Sequence, residues 1–189
     1  MAARTFTLEE VEPAFIASWT VLREWLDVLT PEELGRASTV EGWTVADLTA
    51  HVGVAMGALI SAEVADDLLV SRLIEIIVHG DDLARSLPGR PAPVFSRDAM
   101  HIVVRTLLDM LSTRAPGRSV EVRVPPFAAV QCVEGPRHTR GTPPNTIQTD
   151  PLTWIRLATG RMTWDDGLSS GAVLASGERA DLRTLLPLF

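Results

Sequence analysis

The sequence predicts an α+β protein in which a helical N-terminal half precedes a smaller half built from both strands and helices. Before residue 87, apolar residues recur every three or four positions, as on one face of a helix. Residues 87–94 (LPGRPAPV) are rich in proline and glycine, which is typical of a linker. After residue 117 the apolar period changes to two, as in half-buried strands. We therefore expect two domains, residues 1–88 and 94–189.

Composition excludes several classes of protein. The net charge of −7 argues against general nucleic-acid binding, which needs a basic surface. No apolar run approaches the length needed to span a bilayer, and the first residues lack the apolar core of a signal peptide. A single cysteine, Cys132, excludes an internal disulfide framework. These features predict a cytoplasmic protein.

Threonines mark the beginnings of the N-terminal helices. Thr7 and Thr30 each precede a helical pattern and are followed three residues later by a glutamate, which is the spacing of a capping box. Thr44 is expected to cap the next helix, with Asp47 near its positive end. We expect the first helix to bury one stripe of apolar residues: Val11, Phe15, Trp19, Leu22, Leu26 and Leu29.

The helix after Thr44 carries the first candidate site residue, His51. It lies beside an apolar stripe, and on its own it can be a hydrogen-bonded histidine at the edge of the core. The stripe consists of Leu48, Val52, Met56 and Leu59.

The next helix, residues 67–86, is apolar almost all round, which predicts a buried helix. A polar stripe of Arg72, Glu75, His79 and Asp82 crosses it. One interpretation is a solvated face or an internal Arg72–Glu75 salt bridge. The other is that Glu75 and His79, one turn apart, join His51 as ligands of a divalent metal. Asp82 would then orient the His79 ring as a hydrogen-bond acceptor, and we expect Asp81 to face water.

The distances along the chain permit such a site. We place the turn between the two helices near residues 61–66, so the three candidate ligands lie about twelve to sixteen residues from its centre. If the helices are antiparallel, a rise of about 1.5 Å per residue brings all three to similar heights.

The second half reads as strands interleaved with helices. We expect a helix over residues 97–112, strands at 120–124, 127–133, 145–149 and 171–176, and helices after Asp150, after Thr163 and over 180–186. His101, with no partner at ligand spacing, is interpreted as a structural or surface histidine. Residues 134–144 form a loop carrying Arg137 and Arg140, which is either solvated or an arm that binds substrate carboxylates.

Two segments resemble known families. Residues 29–51 together with Glu75-x-x-x-His79-x-x-Asp82 resemble the N-terminal domain of mycothiol-dependent maleylpyruvate isomerases, within the DinB-like family of metal-binding helical bundles. Residues 149–188, and more loosely 120–132, resemble bacterial sterol-carrier-like domains. The first resemblance implies that His51, Glu75 and His79 bind a divalent metal, usually zinc. It also implies mycothiol as a cofactor and a thiol-dependent isomerase or transferase activity.

The chain departs from that family between the helix of His51 and the helix of Glu75. The family has a further helix there, whereas residues 57–69 leave room for little more than a turn. Either the bundle lacks one helix and exposes an apolar groove, which association into a homo-oligomer would cover, or a segment that belongs between these helices is absent from this sequence.

Two other functions remain open on the sequence. Sterol-carrier-like domains enclose an apolar cavity, so the chain can be a binder of a hydrophobic ligand with no catalytic role. It can also be a degenerate family member that acts as a partner subunit. The sequence identifies neither the substrate nor a general acid or base.

Overall fold

The computed structural model describes residues 6–57, 66–135 and 145–189. The chain divides into two compact units, which we call the N-terminal unit (residues 6–100) and the C-terminal unit (residues 101–189). Within the described ranges, no helix combines the length and the apolar character needed to cross a membrane. The predicted class is confirmed, because a helical N-terminal region is followed by a small mixed sheet with helices.

Helix α1 (Leu8–Leu26) begins at the predicted capping box, where the Thr7 N–H donates to Glu10 Oε2 at 3.0 Å. Its buried line differs from the predicted stripe. The predicted Phe15 and Trp19 are only half-buried, and Ala14 and Ser18 are buried instead. The Ser18 hydroxyl donates to Ala14 O at 2.7 Å, which satisfies it inside the core and lets small side chains form the contact face.

Helix α2 (Pro31–Leu34) is a single turn with the predicted box at Thr30. Glu33 closes that box by accepting from the Thr30 N–H at 2.9 Å. The same Glu33 carboxylate accepts from Arg90 Nη2 at 2.7 Å. Glu33 therefore stabilises the start of α2 and also binds the segment of residues 87–94, which contains Arg90.

Helices α3 (Val45–Gly57) and α4 (Asp66–Ser86) form the centre of the N-terminal unit, with α1 and α3 both packed on α4. The Thr39 hydroxyl, in the loop before α3, donates to Asp82 O near the end of α4, and His51 lies beside His79 further along both helices. Residue numbers thus rise along α3 as they fall along α4, so this pair is antiparallel. The predicted stripe of α3 is buried at Leu48, Val52 and Met56.

The expectation that Asp81 faces water is wrong. Its side chain is 7% exposed, and its carboxylate accepts from Arg85 Nε at 3.1 Å. Arg85 lies one turn further along α4 and supplies the positive charge that allows an aspartate to be buried.

Most of the predicted turn between α3 and α4, and therefore the predicted loss of a bundle helix, lies outside the described residues; the apolar groove and the homo-oligomer stay predictions.

The C-terminal unit is built on a four-stranded mixed sheet of order β2-β1-β3-β4. Strands β1 (Val120–Val124) and β2 (Ala128–Cys132) are antiparallel, β1 is parallel to β3 (Thr146–Thr149), and β3 is antiparallel to β4 (Val173–Ser176). The predicted alternation is confirmed in β1, whose valines are buried while Glu121 and Arg123 are half-buried.

Three helices accompany this sheet in sequence: α5 (Arg97–Arg114), α6 (Pro151–Ala158) and α7 (Trp164–Ser169). Asp150 and Thr163 cap α6 and α7 as predicted. The helix predicted at residues 180–186 is wrong, because only a single turn forms, closed by Leu186 N–H donating to Leu182 O at 3.1 Å. Pro187 follows at once and has no N–H to extend the ladder, and one isolated turn does not sustain a helix.

Candidate functional site

Helices α3 and α4 bring the two predicted histidine ligands side by side. The ring centroids of His51 and His79 are 5.3 Å apart with the planes at 88°. The His51 ring also meets Trp43 edge-on, at a centroid distance of 5.2 Å. The spacing in the sequence predicted that the two imidazoles lie close together, and the packing of α3 against α4 brings them into contact.

A buried carboxylate holds the His79 ring. Asp82, whose side chain is 2% exposed, has Oδ2 3.1 Å from His79 Nδ1. Because a carboxylate only accepts, Nδ1 carries the proton, and in the neutral ring Nε2 keeps its lone pair. Arg85 Nη2 donates to the other Asp82 oxygen at 2.6 Å and Arg85 Nε donates to Asp81. The imidazole orientation therefore rests on a chain of charge-assisted hydrogen bonds along one face of α4.

The third predicted ligand, Glu75, is engaged elsewhere. Both of its carboxylate oxygens accept from Arg72 Nη1, at 2.6 and 2.8 Å. This is the internal salt bridge that the sequence left open as the alternative. Among the described residues, no three His, Cys, Asp or Glu side chains converge as a group able to hold a metal ion. The structure therefore brings two of the three candidates together and leaves the third in an ion pair on the same face.

An open cavity of about 580 Å³ has His51 in its wall. Trp43, Ala50 and Val54 supply apolar surface, and Asp47 supplies an acid. The Thr44 hydroxyl and N–H both donate to the Asp47 carboxylate, which lowers the pKa of Asp47 below its ordinary value, so this acid stays ionised. The cavity gives a small molecule access to the exposed edge of the His51 ring.

The remaining predicted site residues do not join this group. Arg137 and Arg140, predicted to hold substrate carboxylates, lie outside the described residues. His101, interpreted as structural, stacks on Phe127 at 6.1 Å in the C-terminal unit. Cys132 is fully buried, and burial raises the pKa of its thiol to about 11, so it is not a nucleophile near neutral pH.

Sequence reasoning missed two contributors to the site. Arg85 lies three residues after Asp82 and four after Asp81, which is the spacing of helical ion pairs and was a usable signal. Trp43 precedes the cap of α3, and only the packed structure shows that its ring meets His51.

The donor types fit the metal that the family resemblance implies. His79 Nε2 and the exposed His51 ring are imidazole nitrogen donors on adjacent helices, and Asp82 already supplies the outer hydrogen bond that metal-binding histidines usually make. Glu75 is one helical turn before His79 and brings a carboxylate to the same face. For Glu75 to bind a metal, its carboxylate must leave Arg72.

Comparison with known proteins agrees with both resemblances seen in the sequence. Residues 15–67 match the family model of the mycothiol maleylpyruvate isomerase N-terminal domain, and residues 96–188 match that of the bacterial SCP ortholog. Crystal structures of the mycothiol-dependent maleylpyruvate isomerase and of a histidine-to-alanine mutant of it align over 93% of this chain and 95% of theirs. Identities are 16% and 15% and TM-scores 0.46 and 0.44, so these two likenesses decide neither fold nor function. No protein of curated function matches the chain.

Proposed function

We propose that this chain binds a divalent metal ion, zinc, through His51, His79 and Glu75, and that it takes part in thiol-linked chemistry of the mycothiol type. One observation supports this above all: two imidazoles on adjacent helices lie in edge-to-face contact, and a buried aspartate fixes one of them in the tautomer that a metal ligand needs. The match of residues 15–67 to the N-terminal domain of mycothiol maleylpyruvate isomerase supports the thiol.

The roles of the chain's own residues follow from their contacts. Asp82 holds the proton of His79 on Nδ1 and keeps Nε2 available, and Arg85 compensates the charge of that buried aspartate. Trp43 supports the edge of the His51 ring and, with Val54, lines the cavity through which a ligand reaches it. A bound divalent metal lowers the pKa of a thiol or water and polarises a carbonyl oxygen, and the thiol cofactor supplies a nucleophile that adds reversibly to an activated double bond.

Recognition of the substrate is part of the same proposal. Arg137 and Arg140 are offered as ligands for substrate carboxylates because guanidinium groups bind carboxylates with two parallel hydrogen bonds. Their role rests on the sequence alone. A cytoplasmic location, which the single cysteine favours, suits a cofactor that must stay a free thiol.

The direct test is zinc binding by equilibrium dialysis of the folded protein and two alanine variants. We expect about one zinc per chain, lost in His79→Ala and retained in His101→Ala, which removes a histidine outside the site. Stoichiometric zinc in the His79→Ala protein would refute the ligand assignment. If zinc binding follows the prediction, mycothiol-dependent isomerisation of a cis double bond conjugated to a carbonyl is the activity to assay.

A second function is favoured by the match of residues 96–188 to the bacterial SCP ortholog. The C-terminal unit would then bind a hydrophobic ligand, and the metal site would serve stability or assembly. Extraction of the purified protein with organic solvent followed by mass spectrometry distinguishes the two. Stoichiometric lipid in a protein that binds no zinc supports the binder; zinc binding without lipid supports the thiol-linked function.

A further inference from the structure

The open cavity beside α3 combines apolar surface with a single acid. Two of its lining residues leave apolar side chains exposed to solvent, since Val54 is 76% exposed and Trp43 is 36% exposed. Among the six described residues that line the cavity, Asp47 is the one acid, and none is a lysine or an arginine. A ligand that enters therefore meets an indole ring, an aliphatic side chain and a negative charge.

The Asp47 carboxylate has an oxygen left for a ligand. The Thr44 N–H and hydroxyl both donate to Asp47 Oδ2, at 2.9 and 2.6 Å. In the described part of the chain, no donor contacts Oδ1. Asp47 lies in the first turn of α3, where the helix dipole contributes the equivalent of about half a positive charge. The full charge of the carboxylate exceeds this, so the local charge is negative.

The surroundings of the cavity also favour a cation. Glu41, which immediately precedes the lining residue Gly42, is exposed and adds a second negative charge next to the cavity wall. The whole chain carries a net charge of −7, and a surplus of one sign raises the local concentration of ions of the other sign. Indole is the aromatic ring that attracts cations most strongly. A tryptophan and a carboxylate with a free oxygen are therefore a suitable pair for an organic ammonium group.

We propose that this cavity binds a small organic cation, an alkyl-substituted ammonium ion, through the Trp43 ring and the Asp47 carboxylate, with Val54 in contact with its alkyl part. The volume of about 580 Å³ has room for such a molecule. The inference goes beyond the proposed function and does not depend on it, because none of these three residues is a proposed metal ligand.

Two probes of the same shape isolate the effect of the charge. Choline carries a quaternary ammonium group, whereas 3,3-dimethyl-1-butanol has a carbon in place of the nitrogen and is neutral. Each probe is titrated into protein that has been dialysed against a chelator, and the backbone amide signal of Val54 in two-dimensional NMR spectra reports binding at the cavity. The ratio of the two dissociation constants measures the preference for charge, because contacts that both probes make cancel.

We expect choline to bind about tenfold more tightly than the neutral alcohol, from one cation–π contact and one partly exposed charge pair. Trp43→Leu and Asp47→Asn should each reduce this preference to about threefold. Asp47→Asn keeps an oxygen that accepts from Thr44, so the helix cap is preserved. Asp166→Asn is the matched control: the Thr163 hydroxyl donates to the Asp166 carboxylate at 2.6 Å in the same cap geometry, and Asp166 does not line this cavity.

Three results would overturn the proposal. Equal affinity for the two probes would show that the cavity recognises shape and apolar surface without regard to charge. The absence of a saturable shift with choline would show that it binds no such cation. A preference for choline that Asp47→Asn leaves unchanged would show that the carboxylate plays no part. Should Trp43→Leu not fold, Asp47→Asn decides alone, because it retains the apolar contacts.

Discussion

A buried carboxylate orients the His79 ring. Asp82 contacts His79 Nδ1 and Arg85 at once, whereas its neighbour Asp81 accepts from Arg85 Nε. The two aspartates therefore separate the effect of ring positioning from the effect of losing a buried negative charge beside Arg85.

We predict that Asp82→Asn weakens zinc binding about 10- to 100-fold, because the amide can no longer fix the tautomer and the ring orientation of His79. Competition with a chromophoric chelator measures this. Asp81→Asn is the control and should keep zinc affinity close to that of the wild type. Equal losses in the two variants would show that charge near Arg85, and not ring positioning, controls the site.

Cys132 gives a prediction at the same scale. Because burial raises the pKa of its thiol to about 11, modification by Ellman's reagent at pH 8 should be at least about a hundredfold slower in the folded protein than in denaturant. Rapid labelling under native conditions would contradict the buried position of this residue in β2.

The sequence identified the imidazole pair but not the state of Glu75. Helical spacing places Arg72, Glu75, His79 and Asp82 on one face, yet it cannot say whether a carboxylate pairs with the arginine before it or with groups on another helix. That choice depends on the packing of α3 against α4. The burial of Asp81 could not be predicted from the sequence either, because the apolar pattern of a largely buried helix does not show on which side a buried ion pair forms.

At the scale of elements, capping residues were the most reliable signals. All of α1, α2, α3, α6 and α7 begin where a threonine or aspartate precedes the helical pattern, since unsatisfied N–H groups at a helix start need a local acceptor. The predicted last helix, which does not form, had no such signal. The buried line of α1 also differed from the prediction, because a capping residue marks where a helix begins and not which face it buries. In α1, the small side chains of Ala14 and Ser18 are buried in place of larger apolar ones, and apolar periodicity alone does not predict this.

Glu33 links two elements and gives a prediction about pH. Hydrogen bonds from Arg90 and from Thr30 lower the pKa of Glu33 from 4.5 to about 2. A carboxylate with a lowered folded-state pKa stabilises the fold fully above its unfolded pKa, and this contribution is lost as the pH falls through the folded value. Glu33→Gln should therefore reduce thermal stability at pH 6, and the difference from wild type should shrink below about pH 4.5.

Thermal unfolding followed by circular dichroism at a series of pH values tests this. Glu32→Gln is the control on the same helix, because its partner Arg36 lies in solvent and the exposed pair contributes little. A deficit of Glu33→Gln that stays constant from pH 6 down to pH 3 would contradict the role of the ionised Glu33–Arg90 pair.

The cap at the start of α3 lies beside the cavity that contains His51. The Thr44 hydroxyl accepts from the Asp47 N–H at 3.1 Å and donates to its carboxylate at 2.6 Å, next to the cavity that contains His51. Thr44→Ala should lower the free energy of unfolding by about 1 kcal/mol. Chemical denaturation measures this; Thr49→Ala, inside the same helix, should cost less because its hydroxyl bonds only to the Val45 carbonyl. An equal loss in both would argue against the cap.

At the scale of the whole molecule, the sequence predicted the class and the order of its parts. The change of apolar period separates a helical unit from one with a mixed sheet, and both family matches fall on the halves so predicted. The strand order β2-β1-β3-β4 could not be predicted from the sequence, because the alternation of apolar and polar residues indicates a strand but not which strands pair with it. The domain limits 1–88 and 94–189 stay a prediction, as does the shortened bundle.

The proposed function depends most on whether a metal binds where α3 and α4 meet. The most direct measurement is the metal content of the purified protein by elemental mass spectrometry, beside His51→Ala and Glu75→Ala variants. We predict about one divalent metal per chain, zinc foremost, in the wild type and a loss in both variants. Metal-free wild-type protein that stays folded and is indifferent to both substitutions would show that these residues are structural and would contradict the account.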